Sequence, residues 1–505
     1  MLLVWLVLIP FIGGFVCWQL ELVRAPALAM RWTALLSMLA VMGIAIWLWL
    51  VGDFSYAGAL GGAPQWTLEF QVGWIDRFGI SIHLALDGLS LILIALTCFL
   101  GVLAVLCSWT EIEVRLGFFH LNLLWIIGGV VGIFLAMDLF LFFFFWEMML
   151  VPMYFLIALW GHSGGGQTRI FAATKFFIYT QASGLLMLVA ILGLVFAHYH
   201  ATGELTFEYT DLLDTQMSGP LAYVLMLGFF IAFAVKLPTV PLHGWLPDAH
   251  AQAPTAGSVD LAGILLKTAA YGMMRFAIPL FPDASAQFAP VAMIFGLIGI
   301  YYGAVLALAQ EDMKRLVACS SISHMGFILI GIYSGSVLAL QGVIILMVAH
   351  AFSSAGLFII SGQLYERIHT REMSRMGGLF GRLGSLPGFF LVFVLASLGL
   401  PGTANFVGEF LVLVGTFGAA PWVAAIACGG LILAAVYSLV LMHRVHWGPP
   451  STDGALAGLD SREYVMLAGL MVLTVWVGIY PQWVLDISAS VMSHVQQILS
   501  AALGA

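Results

Sequence analysis

The sequence predicts an all-α polytopic membrane protein of about fourteen transmembrane helices, with two inverted five-helix repeats and with helices 7 and 12 broken. Three observations carry that expectation. Hydrophobic residues form 62% of the 505-residue chain and charged residues only 8%, too few to build a water-facing surface. Apolar runs of about 20 residues, the length that crosses a bilayer, recur from one end of the chain to the other. The cations fall almost entirely on alternate connections between those runs, as they do in membrane proteins with a fixed orientation.

Taken in order, the apolar runs place spans at 2–20, 31–51, 84–108, 118–136, 139–160, 170–197, 220–246 and 256–277, followed by 286–308, 315–335, 337–363, 387–415, 421–443 and 463–481. Short polar or Gly/Pro segments separate them. The connections after spans 1, 3, 5, 9, 11 and 13, with their flanks, hold Arg24, Arg31, Arg115, Arg169, Lys175, Lys314, Arg315, Arg367, Arg371, Arg375, Arg382, Arg444 and Arg462. The opposite side holds Arg77 and Arg275, and its 201–220 segment is acidic. Short cytoplasmic loops are enriched in Lys and Arg, so both termini are expected outside. The apolar start, Met1-Leu-Leu-Val-Trp5, lacks a basic leader and a cleavage site, so the first helix is expected to stay.

Other classes are disfavoured. A net charge of -8 with 17 Lys and Arg leaves no basic patch for nucleic acid. Cys17, Cys98, Cys107, Cys319 and Cys428 all lie in apolar stretches without the paired spacing of zinc or iron-sulfur ligands, and read as packing residues. Gly164-Gly-Gly-Gln-Thr lacks a Walker lysine and reads as a linker.

Two cations belong to no connection: Lys236, about sixteen residues into span 7, and Lys267, about eleven into span 8. At similar depth lie Glu147 in span 5, His324 in span 10 and His350 in span 11, with Glu409 toward the outer half of span 12. A charge at mid-membrane costs roughly 2.5 to 3.5 kcal/mol on insertion scales, so such groups face the interior and find partners. A Glu147–Lys236 ion pair whose separation changes would swing the lysine's proton affinity, and the histidines suit proton relay. Blander readings stand beside these. The pair could be a permanent packing device, Asp260 could pair statically with Lys267 two turns on, the histidines could be core residues, and Glu409 could be an interfacial acid. Asp87 and Asp138 sit at helix starts, where a carboxylate complements the dipole.

Pro238 and Pro241 follow Lys236, and Leu400-Pro401-Gly402 precedes Glu409, so both helices should be interrupted beside their ionisable residue. Interrupted helices at matching positions of two halves point to an ion site. The segments 118–277 and 278–447 each hold five spans with the break in the fourth, and an odd-membered tandem repeat must be inverted. The remainder forms an N-terminal unit, 1–117, and a C-terminal helix and tail, 448–505.

The run His243-Gly-Trp-Leu-Pro-Asp-Ala-His250-Ala-Gln-Ala-Pro-Thr-Ala-Gly-Ser-Val-Asp260-Leu-Ala-Gly-Ile-Leu-Leu-Lys267 closely resembles the antiporter-like membrane subunits of respiratory complex I, the proton-translocating NADH:quinone oxidoreductase. So do Phe-Trp-Glu147-Met-Met-Leu-Val-Pro-Met and Ser321-Ile-Ser-His324-Met-Gly. The resemblance covers essentially the whole chain and implies that Glu147, Lys236, Lys267, His324, His350 and Glu409 form a central polar axis for proton transfer. Glu409 favours the M branch over its neighbours L and N, which would be partners, and over sodium/proton antiporter relatives. It also implies that the chain holds no cofactor itself, with NADH, FMN, iron-sulfur clusters and quinone in partner subunits. A multi-subunit sodium/proton antiporter subunit, a quinone-binding redox subunit and a passive scaffold remain as alternatives.

Overall fold

The computed structural model describes residues 1–54, 65–162, 168–448 and 456–504, without side chains for the last two of these; the Gly-rich linker at 164 and much of the polar 444–462 connection lie outside the described residues. Thirteen helices among them are long and apolar enough to span a bilayer: Leu2–Leu22, Ala27–Val51, Gly88–Glu111, Leu116–Leu135, Leu139–Trp160, Arg169–Thr202, Gly219–Lys236, Thr255–Leu280, Pro282–Leu308, Met313–Tyr333, Val337–Ile368, Pro421–His446 and Ser461–Ile479. The predicted twelfth span is two shorter helices, Leu386–Ser397 and Ala404–Ala419, end to end around its break. With that pair, the fourteen expected spans are all present, and the sequence numbering serves below.

Burial sorts the spans into layers. Every residue of the apolar stretches of spans 8, 10 and 11 is buried, whereas spans 1, 2, 13 and 14 bury only about a third of theirs and turn the rest outward. A helix apolar all round belongs in the middle of a bundle, and these three carry Lys267, His324 and His350. Glycines set the close approaches that a membrane bundle needs, since lipid offers no hydrophobic drive between helices. A Cβ on Gly326 of span 10 would lie 2.5 Å from the Gly296 carbonyl of span 9. One on Gly408 of span 12 would lie 2.7 Å from the Leu346 backbone of span 11, four residues before His350.

The cation-rich connections meet at one end of the bundle. Lys175 and Arg315 both pair with Asp248, at 2.7 and 2.8 Å, Arg371 pairs with Asp312 at 3.3 Å, and Arg367 pairs with Glu463 at 2.7 Å. Arg462 reaches the Leu106 carbonyl, joining spans 14 and 3. At the opposite end an antiparallel hairpin, β1 (Leu68–Ile75) and β2 (Ile80–Leu86), turns at Asp76–Phe78 with Gly79 left-handed at φ 65°. Its His83 reaches Glu208 at 2.6 Å and Glu69 at 2.8 Å. Within the acidic 201–220 segment Phe207, Tyr209 and Leu212 are buried, and Glu208 is tied into the hairpin. Four of the cysteines are buried as expected, but Cys428 is exposed on span 13.

Helix starts behave as the carboxylates suggested. Asp87 accepts from the Ser90 amide at 2.9 Å and Asp138 from that of Leu141 at 2.9 Å, each satisfying an otherwise orphaned donor. Asp87 also pairs with Arg275, which accounts for that cation at the hairpin end. A further helix, Gln482–Gly504, was not expected; it packs an apolar face on spans 3, 9 and 11.

Candidate functional site: a buried lane of ionisable groups

Lys236 is the last residue of the first half of span 7. Beyond it the chain turns through Leu237–Trp245 before resuming as Leu246–Gln252. A carbonyl released by that interruption is taken up by the Trp245 indole, which donates to Val235 O at 2.8 Å. The ammonium of Lys236, 1% exposed, lies 3.6 Å from the centroid of the Trp146 ring and 3.8 Å from Met149 Sδ.

The expected Glu147–Lys236 contact is not made. No carboxylate oxygen of Glu147 lies within 4.0 Å of Lys236, although the two act on each other electrostatically. Geometry accounts for this, because neighbouring residues on a helix point about 100° apart, so the face that offers Trp146 to the lysine turns Glu147 aside. The half-buried carboxylate faces span 6 instead, beside Gln181, and a methyl at Gly184 would collide with its Oε1. That oxygen has no hydrogen-bond partner.

The remaining four groups are linked directly. Lys267 sits between two π-helical turns, Leu261–Leu265 and Met273–Ala277. The wider turn frees a carbonyl, and Lys267 Nζ donates to Ala262 O while meeting His350 Nδ1 at 2.8 Å. His350 Nε2 meets Ser321 Oγ at 2.9 Å. The His350 and His324 rings lie edge to face, centroids 5.5 Å apart. His324 Nδ1 meets Glu409 Oε1 at 2.9 Å, and its Nε2 faces Tyr437 Oη at 3.2 Å and Ser397 Oγ at 3.5 Å. Glu409 is 1% exposed, and its Oε2, unpartnered, points toward the left-handed Gly399 in the break of span 12.

The structure thus forms two clusters, Glu147/Trp146/Lys236 and Lys267/His350/His324/Glu409. Asp260 does not pair with Lys267: both of its carboxylate oxygens are buried without a hydrogen-bond partner. The π turn between them inserts one residue and swings the later part of span 8 by about 100°, moving two positions that a uniform helix would align onto different faces. Sequence reasoning also missed Trp146, Ser321 and Tyr437. The indole was legible only as one more aromatic in an aromatic run.

A polytopic bundle with interrupted helices and a buried lane of Glu, Lys and His is the architecture of antiporter-like ion-translocating membrane subunits. The comparisons agree. Residues 136–434 match the family described as NADH:quinone oxidoreductase/Mrp antiporter, TM. NADH-quinone oxidoreductase subunit M of Pseudomonas aeruginosa is 66% identical over 505 residues, covering 100% of this chain and 99% of the relative. The subunit M of Escherichia coli K12 is 62% identical over 501 residues, covering 98% of each. Among solved structures, respiratory complex I from Thermus thermophilus with bound NADH has a chain that superposes with a TM-score of 0.87 at 29% identity over 100% of both chains. A chain of the Mrp complex from Dietzia sp. shares the fold, with a TM-score of 0.82 at 19% identity over 99% of each chain. The chain belongs to the NADH-quinone oxidoreductase subunit M family.

Proposed function

We propose that the chain translocates protons as a membrane-arm subunit of NADH:quinone oxidoreductase, along Glu147, Lys236, Lys267, His350, His324 and Glu409. The observation that carries this reading is the polar contact from Lys267 to His350, and the edge-to-face step to His324 and Glu409, between buried side chains of spans 8, 11, 10 and 12. Each of these side chains can hold or give up a proton, and burial leaves them one another as partners. Electron transfer belongs, on this reading, to partner subunits holding NADH, FMN, iron-sulfur clusters and quinone. The neighbouring antiporter-like L and N subunits are the partners in the membrane.

Moving one charge against 100 mV requires about 2.3 kcal/mol, so the lane needs a gate. Lys236 supplies it through two competing partners: the indole it now rests on and the nearby carboxylate of Glu147. Charge arriving from a neighbouring subunit shifts that competition, and the lysine's proton affinity with it. The cation distribution supports placing the Asp248 end at the cytoplasm and both termini in the periplasm of a bacterial inner membrane. The matching breaks in spans 7 and 12 support reading 118–277 and 278–447 as inverted repeats.

A sodium/proton antiporter subunit is the second reading, but the relatives at 62% and 66% identity are subunit M chains, while the Mrp likeness at 19% supports only the fold. The test is Lys236→Ala or Glu147→Ala in the intact complex. Proton pumping per NADH oxidised is expected to fall by most of its value with assembly retained, and Glu147→Asp is expected to keep more than Ala. Wild-type pumping in both alanine variants would sink the proposal.

A further inference from the structure

A neutral imidazole carries its hydrogen on one ring nitrogen or the other, and only one of those tautomers can receive a proton from a lysine beside it. For His350 the neighbours decide which. Lys267 Nζ meets Nδ1 at 2.8 Å, and an ammonium can only donate, so Nδ1 must present its lone pair. The neutral ring then carries its hydrogen on Nε2. Ser321 Oγ lies 2.9 Å from that nitrogen and is its one hydrogen-bond partner among the described residues. The serine's own hydrogen is directed back along span 10 to the Val317 carbonyl, at 3.3 Å. Every donor from the ammonium to that carbonyl therefore points the same way.

Span 10 holds the serine in place for this. Ser321 is fully buried and lies three residues before His324, so the two share one face of the helix. That helix is pinned to span 9: Ser323 Oγ donates to the Ile300 carbonyl at 2.9 Å, and a Cβ on Gly303 would lie 2.6 Å from the Ser323 amide. Ser320 donates to the same Val317 carbonyl at 2.8 Å but, about 100° round the helix, makes no hydrogen bond to His350. His324 is served differently. Its Nδ1 meets the Glu409 carboxylate and its Nε2 faces two hydroxyls, Tyr437 Oη and Ser397 Oγ, so no single hydroxyl decides its tautomer. His350 depends on one.

We infer that Ser321 is a positioning residue for proton transfer between Lys267 and His350: by accepting from Nε2 it fixes the tautomer whose Nδ1 is open to the lysine's proton. In that step one N–H bond of the ammonium breaks and an N–H bond forms on Nδ1. The lysine is left a neutral amine and the ring becomes an imidazolium, its Nε2–H still held by the serine. In the other tautomer Nδ1–H would face the ammonium, donor against donor, and transfer is blocked. Without the hydroxyl, Nε2–H is a buried donor with no acceptor, and the ring is driven to turn or to change tautomer. The inference rests on the proposed lane carrying protons.

The test uses the whole complex in closed vesicles, measuring NADH-driven proton uptake and its solvent isotope effect together. Ser321→Ala removes the acceptor and little volume, and coupled turnover is expected to fall about tenfold, toward the lower end of what an unpaired buried donor costs. Transfer from Lys267 then becomes the slow step, so the isotope effect is expected to rise above the wild-type value, which a packing defect alone would not cause. Ser321→Thr keeps the hydroxyl and is expected to retain at least half the wild-type rate with an unchanged isotope effect. Ser320→Ala, which removes a donor from the same carbonyl without touching His350, is expected to behave as wild type. Wild-type turnover in Ser321→Ala overturns the inference, as does a slow Ala variant with an unchanged isotope effect or a Thr variant as slow as Ala. Lys236→Ala in the same vesicles keeps the two ideas apart: if it stops pumping while Ser321→Ala is normal, the lane stands and the positioning role falls.

Discussion

The proposed gate makes Trp146 a functional residue, and its replacement has a magnitude that follows from geometry. The Lys236 ammonium lies 3.6 Å from the indole centroid, and both side chains are 1% exposed. A cation over an indole face in a desolvated setting gains about 2 kcal/mol, which is roughly a thirty-fold bias toward the indole over any competing partner. Trp146→Leu removes that bias, so the lysine shifts toward Glu147 and the gate is held in one state. Trp146→Phe keeps an aromatic face with a weaker quadrupole, and forfeiting about 1 kcal/mol of the attraction leaves roughly a fivefold shift.

The assay is proton uptake per NADH oxidised in inside-out vesicles, alongside quinone reductase rate with and without uncoupler. Pumping yield is expected to rank wild type, then Phe, then Leu, with assembly checked on a native gel. The ring also packs against Phe142 and Phe233, with centroids 5.7 and 5.4 Å away, so Leu leaves a void as well. The Phe variant separates these effects, since it retains most of the packing. Wild-type yield in both variants, or a Phe variant as impaired as Leu, would refute the assignment of the indole as the lysine's competing partner.

Two further outcomes follow from other contacts. Gly184→Ala places a methyl where Glu147 Oε1 now lies, so the carboxylate must move; pumping is expected to drop several-fold without loss of assembly, and unchanged yield would show that the carboxylate's position is immaterial. At the hairpin end, burial would lower His83, but its bonds to Glu208 and Glu69 outweigh that and raise it above 6.5. Burial would raise Glu208, but bonds from His83 and Ser81 hold it below 4.5. The histidine's contribution is complete below pH 6.5 and is lost as pH rises through its raised value; the glutamate's is complete above pH 4.5 and is lost as pH falls through its lowered value. Asp138, pushed up by burial to about 6, costs stability progressively as pH rises from its ordinary 3.8 to about 6, so it weights the maximum toward its acid side. Amide exchange of residues 68–86 is therefore expected to be slowest between about pH 4.5 and 6.5 after correction for the intrinsic rate. Protection that keeps growing to pH 9 would contradict the pairing.

Much of the architecture was legible because the bilayer constrains it. Twenty-residue apolar runs, prolines beside Lys236 and Glu409, and cations on alternate connections each reflect a cost that only one arrangement avoids. The hairpin was less visible, though Leu-Glu-Phe-Gln-Val and Ile-Ser-Ile-His-Leu alternate with period two around a turn ending in Gly79. What could not be read was pairing. Lys236 and Glu147 are both ionisable and at one depth, yet depth says nothing of azimuth, and one residue's rotation gave the lysine to Trp146.

The same limit explains Lys267, and there it has a mechanistic edge. Seven-residue spacing aligned Asp260 with Lys267 only if span 8 were uniformly wound. The π turn at Leu261–Leu265 removes that static partner and frees the Ala262 carbonyl, so the ammonium is held by one neutral acceptor and by His350. A lysine locked to a buried carboxylate would keep its proton, since breaking such a pair strands two charges and costs about 3 to 5 kcal/mol. A lysine held by a carbonyl and an imidazole can release one, because the imidazole accepts it and the single positive charge moves on without stranding an anion. The irregular winding of span 8 therefore suits Lys267 to its proposed role as a proton carrier, and a variant that regularised the helix would be expected to restore the Asp260 pair and stop the proposed transfer at this step.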